Sequence, residues 1–334
     1  MSDGKKQVLS LIQPTGNVHL GRYFGAIQNW VNLQAQYDCI YGVANYHGMT
    51  TPFDPQKLRT LTWDVAFRLI ACGLDVNNIF IHTQIPEHTE LTWILSCMTS
   101  YGELTRMTQF KDKSQQITDS NKEAFISAGL FTYPVLQAAD ILIYRANYVP
   151  VGKDQEQHLE LTRNVATRFN YVVKKEYFPL PEALFTEIPK VMSTADPTRK
   201  MSASLGEKHN IDVFADPDRI RKQVMSAVTD SGDVRFPEMS PGVENLFSLV
   251  KAAGSTEVYE ELLQMYQNGT LGYGHLKEQV ANVLIEMTDP FRKRLSELNA
   301  DKREVKNQLK ASSARIRERA RQTVRDVREL SGLI

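Results

Sequence analysis

Short apolar runs alternate with helical periodicity through the first half of the chain. Residues 8–12 are apolar except for Ser10 and stop at Gln13-Pro14-Thr15-Gly16, which predicts a buried strand and a turn. Beyond Leu20, the residues Tyr23, Phe24, Ile27, Trp30 and Val31 recur every three or four positions, which predicts a helix. The stripe of Tyr23, Phe24, Ile27 and Trp30 is expected to be core rather than ligand contact. Residues 39–43, 79–82 and 149–151 predict three further strands. Helices are expected at 55–72, 89–98, 124–146 with a break at Pro134, and 154–169. Leu58, Leu61, Val65 and Leu69 share one face of the first of these.

Strands alternating with helices imply right-handed crossovers, and so an α/β fold with a Rossmann-like, doubly wound parallel sheet. Such sheets bind ligands at the carboxyl ends of their strands. The loops at 13–22, 44–50 and 152–155 are therefore expected to share one crevice. After Asp216 the pattern is almost wholly helical, with helices expected at 220–228, 257–267, 276–298 and 302–330. This change divides the chain into an α/β domain over 1–205 and a C-terminal all-helical domain over 206–334.

Composition narrows the class without naming a chemistry. A chain of 334 residues, 42% hydrophobic and 23% charged, can bury a core without crosslinks and is not a disordered polymer. Cys39, Cys72 and Cys97 are scattered with no CxxC pair; they are expected to be buried and inert, which suits a reducing cytoplasm. No cluster has zinc-ligand spacing, so no metal is expected. With no export signal and no uninterrupted apolar stretch of ~18 residues, no membrane association is expected. The 39 basic and 39 acidic side chains cancel overall. From residue 301 onward, however, ten basic residues stand against five acids, a local +5. Such a segment either meets a polyanion or forms a solvated helix face paired with its own glutamates, and both readings stay open.

Candidate chemistry lies in three places. In Gln13-Pro14-Thr15-Gly16-Asn17-Val18-His19-Leu20-Gly21-Arg22, Gly21 permits close backbone approach at a helix N-terminus, where free N–H groups favour anions. His19 offers an imidazole N–H to a phosphate oxygen, and Arg22 a fixed positive charge. The second place is Lys200-Met201-Ser202-Ala203-Ser204, a polar loop at the domain junction. A lysine there follows charge onto a leaving pyrophosphate, and small hydroxyl residues let a mobile loop close over ATP. Third, positions 133, 137 and 140 are steps of four and three, so Tyr133, Gln137 and Asp140 fall on one helical face. The apolar neighbours Ala139, Ile141 and Leu142 place Asp140 out of water, and a carboxylate there needs a donor.

In this order and about 180 residues apart, His19-Leu20-Gly21-Arg22 and the segment 200–204 resemble the HIGH and KMSKS motifs of the class I aminoacyl-tRNA synthetases. Further segments extend the resemblance over essentially the whole chain: Gly102-Glu103-Leu104, residues 106–113, 133–142, 149–155, and Ala227-Val228-Thr229-Asp230-Ser231. Together they are similar to the tryptophanyl-tRNA synthetases of the bacterial type. That resemblance implies a tryptophan–tRNA ligase that takes ATP with Mg2+ as substrate, forms tryptophanyl-adenylate, and passes tryptophan to tRNA(Trp). It further implies a cytoplasmic homodimer without an iron–sulfur cluster, with residues 206–334 as the anticodon-side tRNA-binding domain.

The resemblance also assigns roles. Gln13, Pro14, Thr15, Gly21 and Arg22 would line the ATP site; Gly152, Lys153 and Asp154 would meet the ribose region, and backbone at Val191 the adenine. Lys200, Met201, Ser202, Ala203 and Ser204 would cover the phosphates, assisted by Lys113 and Lys111. Asp140 would accept the indole N–H, with Tyr133, Gln137, His47 and Gln155 around the amino acid. Catalysis would rest on positioning and electrostatics from His19, Gln13, Lys113 and Lys200. Three positions depart from the pattern: Ala203 replaces the second lysine of KMSKS, Lys153 stands where glutamate is frequent, and Gln137 where many relatives carry methionine.

The nearest competitor is the tyrosyl-tRNA synthetase group, whose Tyr-x3-Gln-x2-Asp spacing is also that of Tyr133, Gln137 and Asp140. A carboxylate accepts a phenol O–H as readily as an indole N–H. Those enzymes place a tyrosine four residues before the strand-end polar residue; counted back from Gln13, this chain has Leu9. An apolar wall suits an indole, which has one polar handle. A small nucleotidylyltransferase, and a silent RNA-binding paralogue favoured by Ala203, are the remaining classes.

Overall fold

The computed structural model describes residues 4–120, 125–152, 155–185, 191–202, 205–229 and 238–334. Among the described residues five parallel strands form one sheet: β1 (Gln7–Ile12), β2 (Asp38–Val43), β3 (Ile79–Ile81), β4 (Tyr148–Val151) and β5 (Glu182–Phe185). Their order is β3-β2-β1-β4-β5, so the chain winds outward from β1 in both directions. The side-chain period of two feeds two cores, one on each face. Val8, Tyr41 and Ile79 enter one; Leu9, Ile40 and Phe80 enter the other. Burial on both faces is why these strands read as near-continuous apolar runs. Gly42 is required by close approach, since a Cβ there would lie 2.6 Å from Phe80 Cζ.

β5 was not anticipated. It is a four-residue strand with only half-buried or exposed residues, paired to β4 alone, and carries little apolar signal. The helix expected after Leu20 is α1 (Leu20–Arg22), a π-helical stretch (Tyr23–Ile27) and α2 (Gln28–Leu33). The crossovers contain α3 (Pro55–Ala71), α4 (Glu87–Ser96), α5 (Tyr101–Thr105), α6 (Thr108–Ser120), α7 (Ala128–Leu142) and α8 (Glu156–Val173). Pro134 lies inside α7, which continues through it. Cys39 and Cys72 are buried as expected, but Cys97 is exposed, because it sits on the C-cap of α4 facing outward.

The helical part comprises α9 (Pro217–Met225), α10 (Pro241–Ala252), α11 (Thr256–Gln267), α12 (Tyr273–Ala300) and α13 (Lys302–Leu330). The apolar stripe of α10, Val243, Leu246, Phe247 and Val250, is buried, although its Pro241-Gly242 start reads as a loop. α12 packs on α9 and on α3, so one core runs from Val8 through Leu284 to Val305 and Leu309 at the start of α13.

Beyond Leu309, α13 leaves this cluster. It returns to the sheet and packs on β3 and α4, burying Ile316, Ala320, Val324 and Val327 beside Leu9 and Phe80. Its arginines take partners there. Arg317 Nε donates to both carboxylate oxygens of Glu87 at 2.9 Å, Arg319 reaches Gln7 Oε1 at 2.7 Å and Asp38 Oδ2 at 3.0 Å, and Arg315 bonds Asn77. Arg321 pairs with Glu318 and Glu87, and Arg328 with Glu90. Among the described residues no helix is long and apolar enough to cross a membrane.

Candidate active site

A cavity of about 390 Å3 opens at the carboxyl ends of β1, β2 and β4. The three loops expected to converge do so: Gln13, Ala44, His47, Gly152 and Gln155 all line it. α7 contributes Tyr133, Gln137 and Asp140 from one face, as steps of four and three require. α6 adds Gln109 and Lys113, and β1 adds Leu9. Trp30 modifies the expectation of pure core: it is 3% exposed and stacked 5.1 Å from Tyr41, yet it also reaches the cavity wall.

Asp140 is the most constrained group of the site, 1% exposed at the centre of three imidazoles. His47 Nε2 lies 2.8 Å from Oδ2 and His88 Nδ1 2.7 Å from Oδ1. His82 Nε2 is also 2.8 Å from Oδ1. Tyr144 O–H reaches His88 Nε2 at 2.8 Å, so the imidazole accepts there and donates Nδ1–H to the carboxylate. Burial alone pushes the Asp140 carboxyl upward. The pull of His82 and the contacts from His47, His82 and His88 outweigh it and hold the group well below the usual carboxylate range. Asp140 is therefore an ionised acceptor beside the apolar wall of Leu9.

Sequence reasoning missed His82, His88 and Tyr144. Each carried a signal: His82 follows a strand at its carboxyl end, Tyr144 lies four residues after Asp140, and His88 keeps apolar spacing with Ile85, Leu91 and Leu95. Tyr133 is fixed separately, its hydroxyl 2.9 Å from His158 Nε2 and donating to Gln109 Oε1 at 3.3 Å. Burial pushes this phenol up to about 12. Lys113 Nζ sits 4.8 Å over the Tyr133 ring, and its burial lowers its pKa.

A second cluster adjoins the cavity through Gln13, whose carbonyl accepts Thr15 N–H at 2.8 Å. His19 is the N-cap of α1; its Nδ1 accepts Arg22 N–H at 3.2 Å, which leaves the proton on Nε2. Burial first, then the charges of Arg22 and Lys200, lower the His19 pKa to about 4. Arg22 ties the loop down through Thr15, with 2.7 Å to its carbonyl and 3.2 Å to its hydroxyl. Gly21 lets the second motif approach: a Cβ there would lie 3.2 Å from both His19 Nδ1 and Met201 Cβ. Its own N–H points at Met201 Sδ, 3.4 Å away.

The segment carrying Lys200 is a short stem. Met192 and Lys200 form an antiparallel bridge, Met201 N–H donates to Val191 O at 3.0 Å, and Ser193 N–H to Arg199 O at 2.8 Å. Asn245 of α10 bonds both backbone groups of Met192, at 3.0 and 3.1 Å. Val228 N–H bonds Thr194 O at 2.8 Å, so the segment 227–229 holds the same stem. Lys200 itself is exposed. His19 and Gly21 thus meet Lys200 and Met201 beside the cavity rather than lining it, Thr15 and Arg22 bond one another in the same loop, Pro14 is buried there, and Lys111 is exposed on α6. Ser202 ends the described part of the stem; Lys153, Asp154, Ala203 and Ser204 lie outside the described residues.

One end of this arrangement offers an ionised acceptor in an apolar wall, and the other the His19 Nε2–H beside the cations Arg22 and Lys200. Known proteins resemble the chain from end to end. The family described as tRNA synthetases class I (W and Y) matches residues 1–289. A tryptophan–tRNA ligase of Helicobacter pylori is 41% identical over 338 residues, covering 99% of each chain. One of Wolinella succinogenes is 42% identical over 335 residues, again 99% of each. The crystal structure of tryptophanyl-tRNA synthetase from Campylobacter jejuni, complexed with ADP and tryptophan, superposes with a TM-score of 0.83 at 34% identity, covering 98% of this chain and 99% of that one. With relatives alike over nearly their full length and the family match reaching into α12, the chain belongs to the class I aminoacyl-tRNA synthetases, among the tryptophanyl-tRNA synthetases.

Proposed function

We propose that the cavity takes the indole of L-tryptophan, with Asp140 accepting the ring N–H, while the two motif segments hold Mg-ATP beside it. The observation that carries this reading is an ionised, buried Asp140 facing a cavity walled by Leu9 and Trp30. An ionised carboxylate has about four lone-pair directions, and three imidazoles occupy at most three. A substrate without a matching donor leaves that carboxylate short of a partner, which favours selection without an editing step.

In the first half-reaction the tryptophan carboxylate attacks the α-phosphorus of ATP, forming the mixed anhydride and releasing pyrophosphate. His19 Nε2–H, Gln13, Lys113 and Lys200 stabilise negative charge on the transferring and leaving groups, and the magnesium that accompanies ATP adds to them. Gly21, Arg22, Pro14 and Thr15 shape the loop against the nucleotide, Gly152, Lys153 and Asp154 meet the ribose, and Val191 backbone the adenine. Met201, Ser202, Ala203 and Ser204 cover the phosphates. Tyr133, Gln137, His47 and Gln155 position the amino acid. In the second half-reaction a ribose hydroxyl at the 3′ end of tRNA(Trp) displaces AMP. The reading is completed by a cytoplasmic homodimer that binds tRNA(Trp); exposed Trp93 and Tyr101, on α4 and at the start of α5, are apolar surface that a second copy would cover.

Amino-acid-dependent ATP–pyrophosphate exchange, run with tryptophan, tyrosine and no amino acid, tests the reading. Exchange with tryptophan alone is expected. Exchange with tyrosine instead would assign the pocket to a phenol, and exchange with neither would leave an RNA-binding paralogue.

A further inference from the structure

Beneath the cavity, His47, His82 and Asp140 stand with one donor atom each, all within 4.8 Å of one another and all buried. They come from three separate elements: the turn after β2, the end of β3, and α7. His82 is fully buried; its Nδ1 has no hydrogen-bond partner, and its Nε2 lies 2.8 Å from Asp140 Oδ1 without the alignment of a hydrogen bond. A fully buried imidazole with an unpartnered nitrogen, beside a carboxylate oxygen and a second imidazole from another element, is a donor set that a cation would satisfy.

We propose that His47, His82 and Asp140 form a binding site for a divalent transition ion of the zinc class, and that its occupation excludes tryptophan from the cavity. Two imidazoles and a carboxylate are the donor set such ions take, whereas magnesium and calcium prefer oxygen alone. Bonds of about 2.0–2.2 Å to a tetrahedral ion place donors roughly 3.4 Å apart. Nitrogens now 2.8 Å from the carboxylate open by about half an ångström to admit it. His88, locked by Tyr144, holds Asp140 from the outside, as partners of metal ligands commonly do. His47 and Asp140 also line the cavity, so the ion enters from there and its fourth position faces the substrate space. Entry replaces the contact between His47 Nε2 and Oδ2.

The exclusion of tryptophan rests on the function proposed above; the ion site does not. The test is titration of Co2+ into metal-free, full-length protein, followed by its visible absorption. One equivalent is expected to give the bands of a four-coordinate site. His82→Gln and Asp140→Asn, each checked for folding by thermal melting, are expected to weaken uptake by about 100-fold or more, beyond what loss of an outer partner costs. L-tryptophan at a concentration that saturates pyrophosphate exchange is expected to abolish the bands. No bands in the native protein, or unchanged bands in folded His82→Gln, would overturn the site. Bands that persist under saturating tryptophan would overturn the exclusion. Absence of tryptophan-dependent exchange in metal-free protein would count against the proposed function alone.

Discussion

Lowering the pH should unfold this protein partly through His19. Its imidazole is 7% exposed, accepts Arg22 N–H at Nδ1, and faces the charges of Arg22 and Lys200. The folded state holds it neutral down to about 4, whereas the unfolded chain protonates it at 6.5. Between these values the unfolded state binds the extra proton, so stability rises with pH there and is lost as pH falls from 6.5 toward 4. At about 1.4 kcal/mol per pH unit, the full loss is about 3 kcal/mol. His19→Asn keeps an N-cap acceptor without a titrating ring. Urea unfolding of both proteins at intervals from pH 7 to pH 4 isolates the effect, because His82 and the carboxylates titrate alike in both. The variant should gain on the native protein by about 3 kcal/mol across that window. A difference that stays constant with pH would refute a buried neutral His19. ATP offers a second readout: a triphosphate beside Nε2 raises the His19 pKa, so its binding at pH 5 should take up a proton.

Lys200→Ala should lower adenylate formation by about 100-fold while tryptophan affinity holds; a loss of only a few-fold would refute the role of the stem. Asp140→Ala should raise the KM for tryptophan about 10–100-fold and relax discrimination, as loss of a charged hydrogen bond predicts, and unchanged discrimination by exchange assay would count against it. Gly242→Ala forces a Cβ into the Val228 carbonyl oxygen and to 2.7 Å from Thr229 O. It should cost roughly 1–3 kcal/mol in urea unfolding; a neutral result would mean the 227–229 segment yields freely. Neutralising Arg315, Arg319 and Arg321 together should leave tRNA affinity within about two-fold and cost no more than about 1 kcal/mol per pair in stability, whereas a steep affinity loss in filter binding would place α13 at the RNA.

What could be read from the sequence was what one element determines by itself. β1, β2 and β3 are apolar because both faces are covered, and Tyr133, Gln137 and Asp140 share a face because a helix turns every 3.6 residues. The misses need tertiary knowledge. β5 is an edge strand with no buried side, so its four residues carry no period. α10 opens on Pro241-Gly242, which reads as a turn, yet Pro suits the first helical position and Gly242 is demanded by the backbone of 228–229 packed against it. His82 follows β3 and His88 lies on α4, and only the winding of the sheet carries them to Asp140. Trp30 was read as core because its stripe is core, and a stripe does not show that one member also borders a cavity.

The C-terminal charge shows the same limit from the other direction. A count of +5 over the last 34 residues describes the segment as though it stood alone in water. β3 is the edge of the sheet, and an uncovered edge leaves backbone donors unpaired. α13 covers it with Ser313, whose hydroxyl accepts Ile81 N–H at 3.1 Å, and Ser312, whose hydroxyl donates to Asn77 O at 2.9 Å. That docking brings the helix alongside Asp38, Glu87 and Glu90, acids supplied by the α/β part. The arginines that look surplus in the sequence are therefore the counter-charges of another unit, held there by the buried stripe from Ile316 to Val327. Among the described residues Lys302, Arg303, Lys306, Lys310 and Arg315 have no ion-pair partner; Lys306 lies over the Trp63 ring and Arg315 bonds Asn77, which leaves Lys302, Arg303 and Lys310 at the other end. A polyanion contact on this helix belongs there, near its junction with α12, and its salt dependence should be that of a few charges rather than of the ten that the sequence displays.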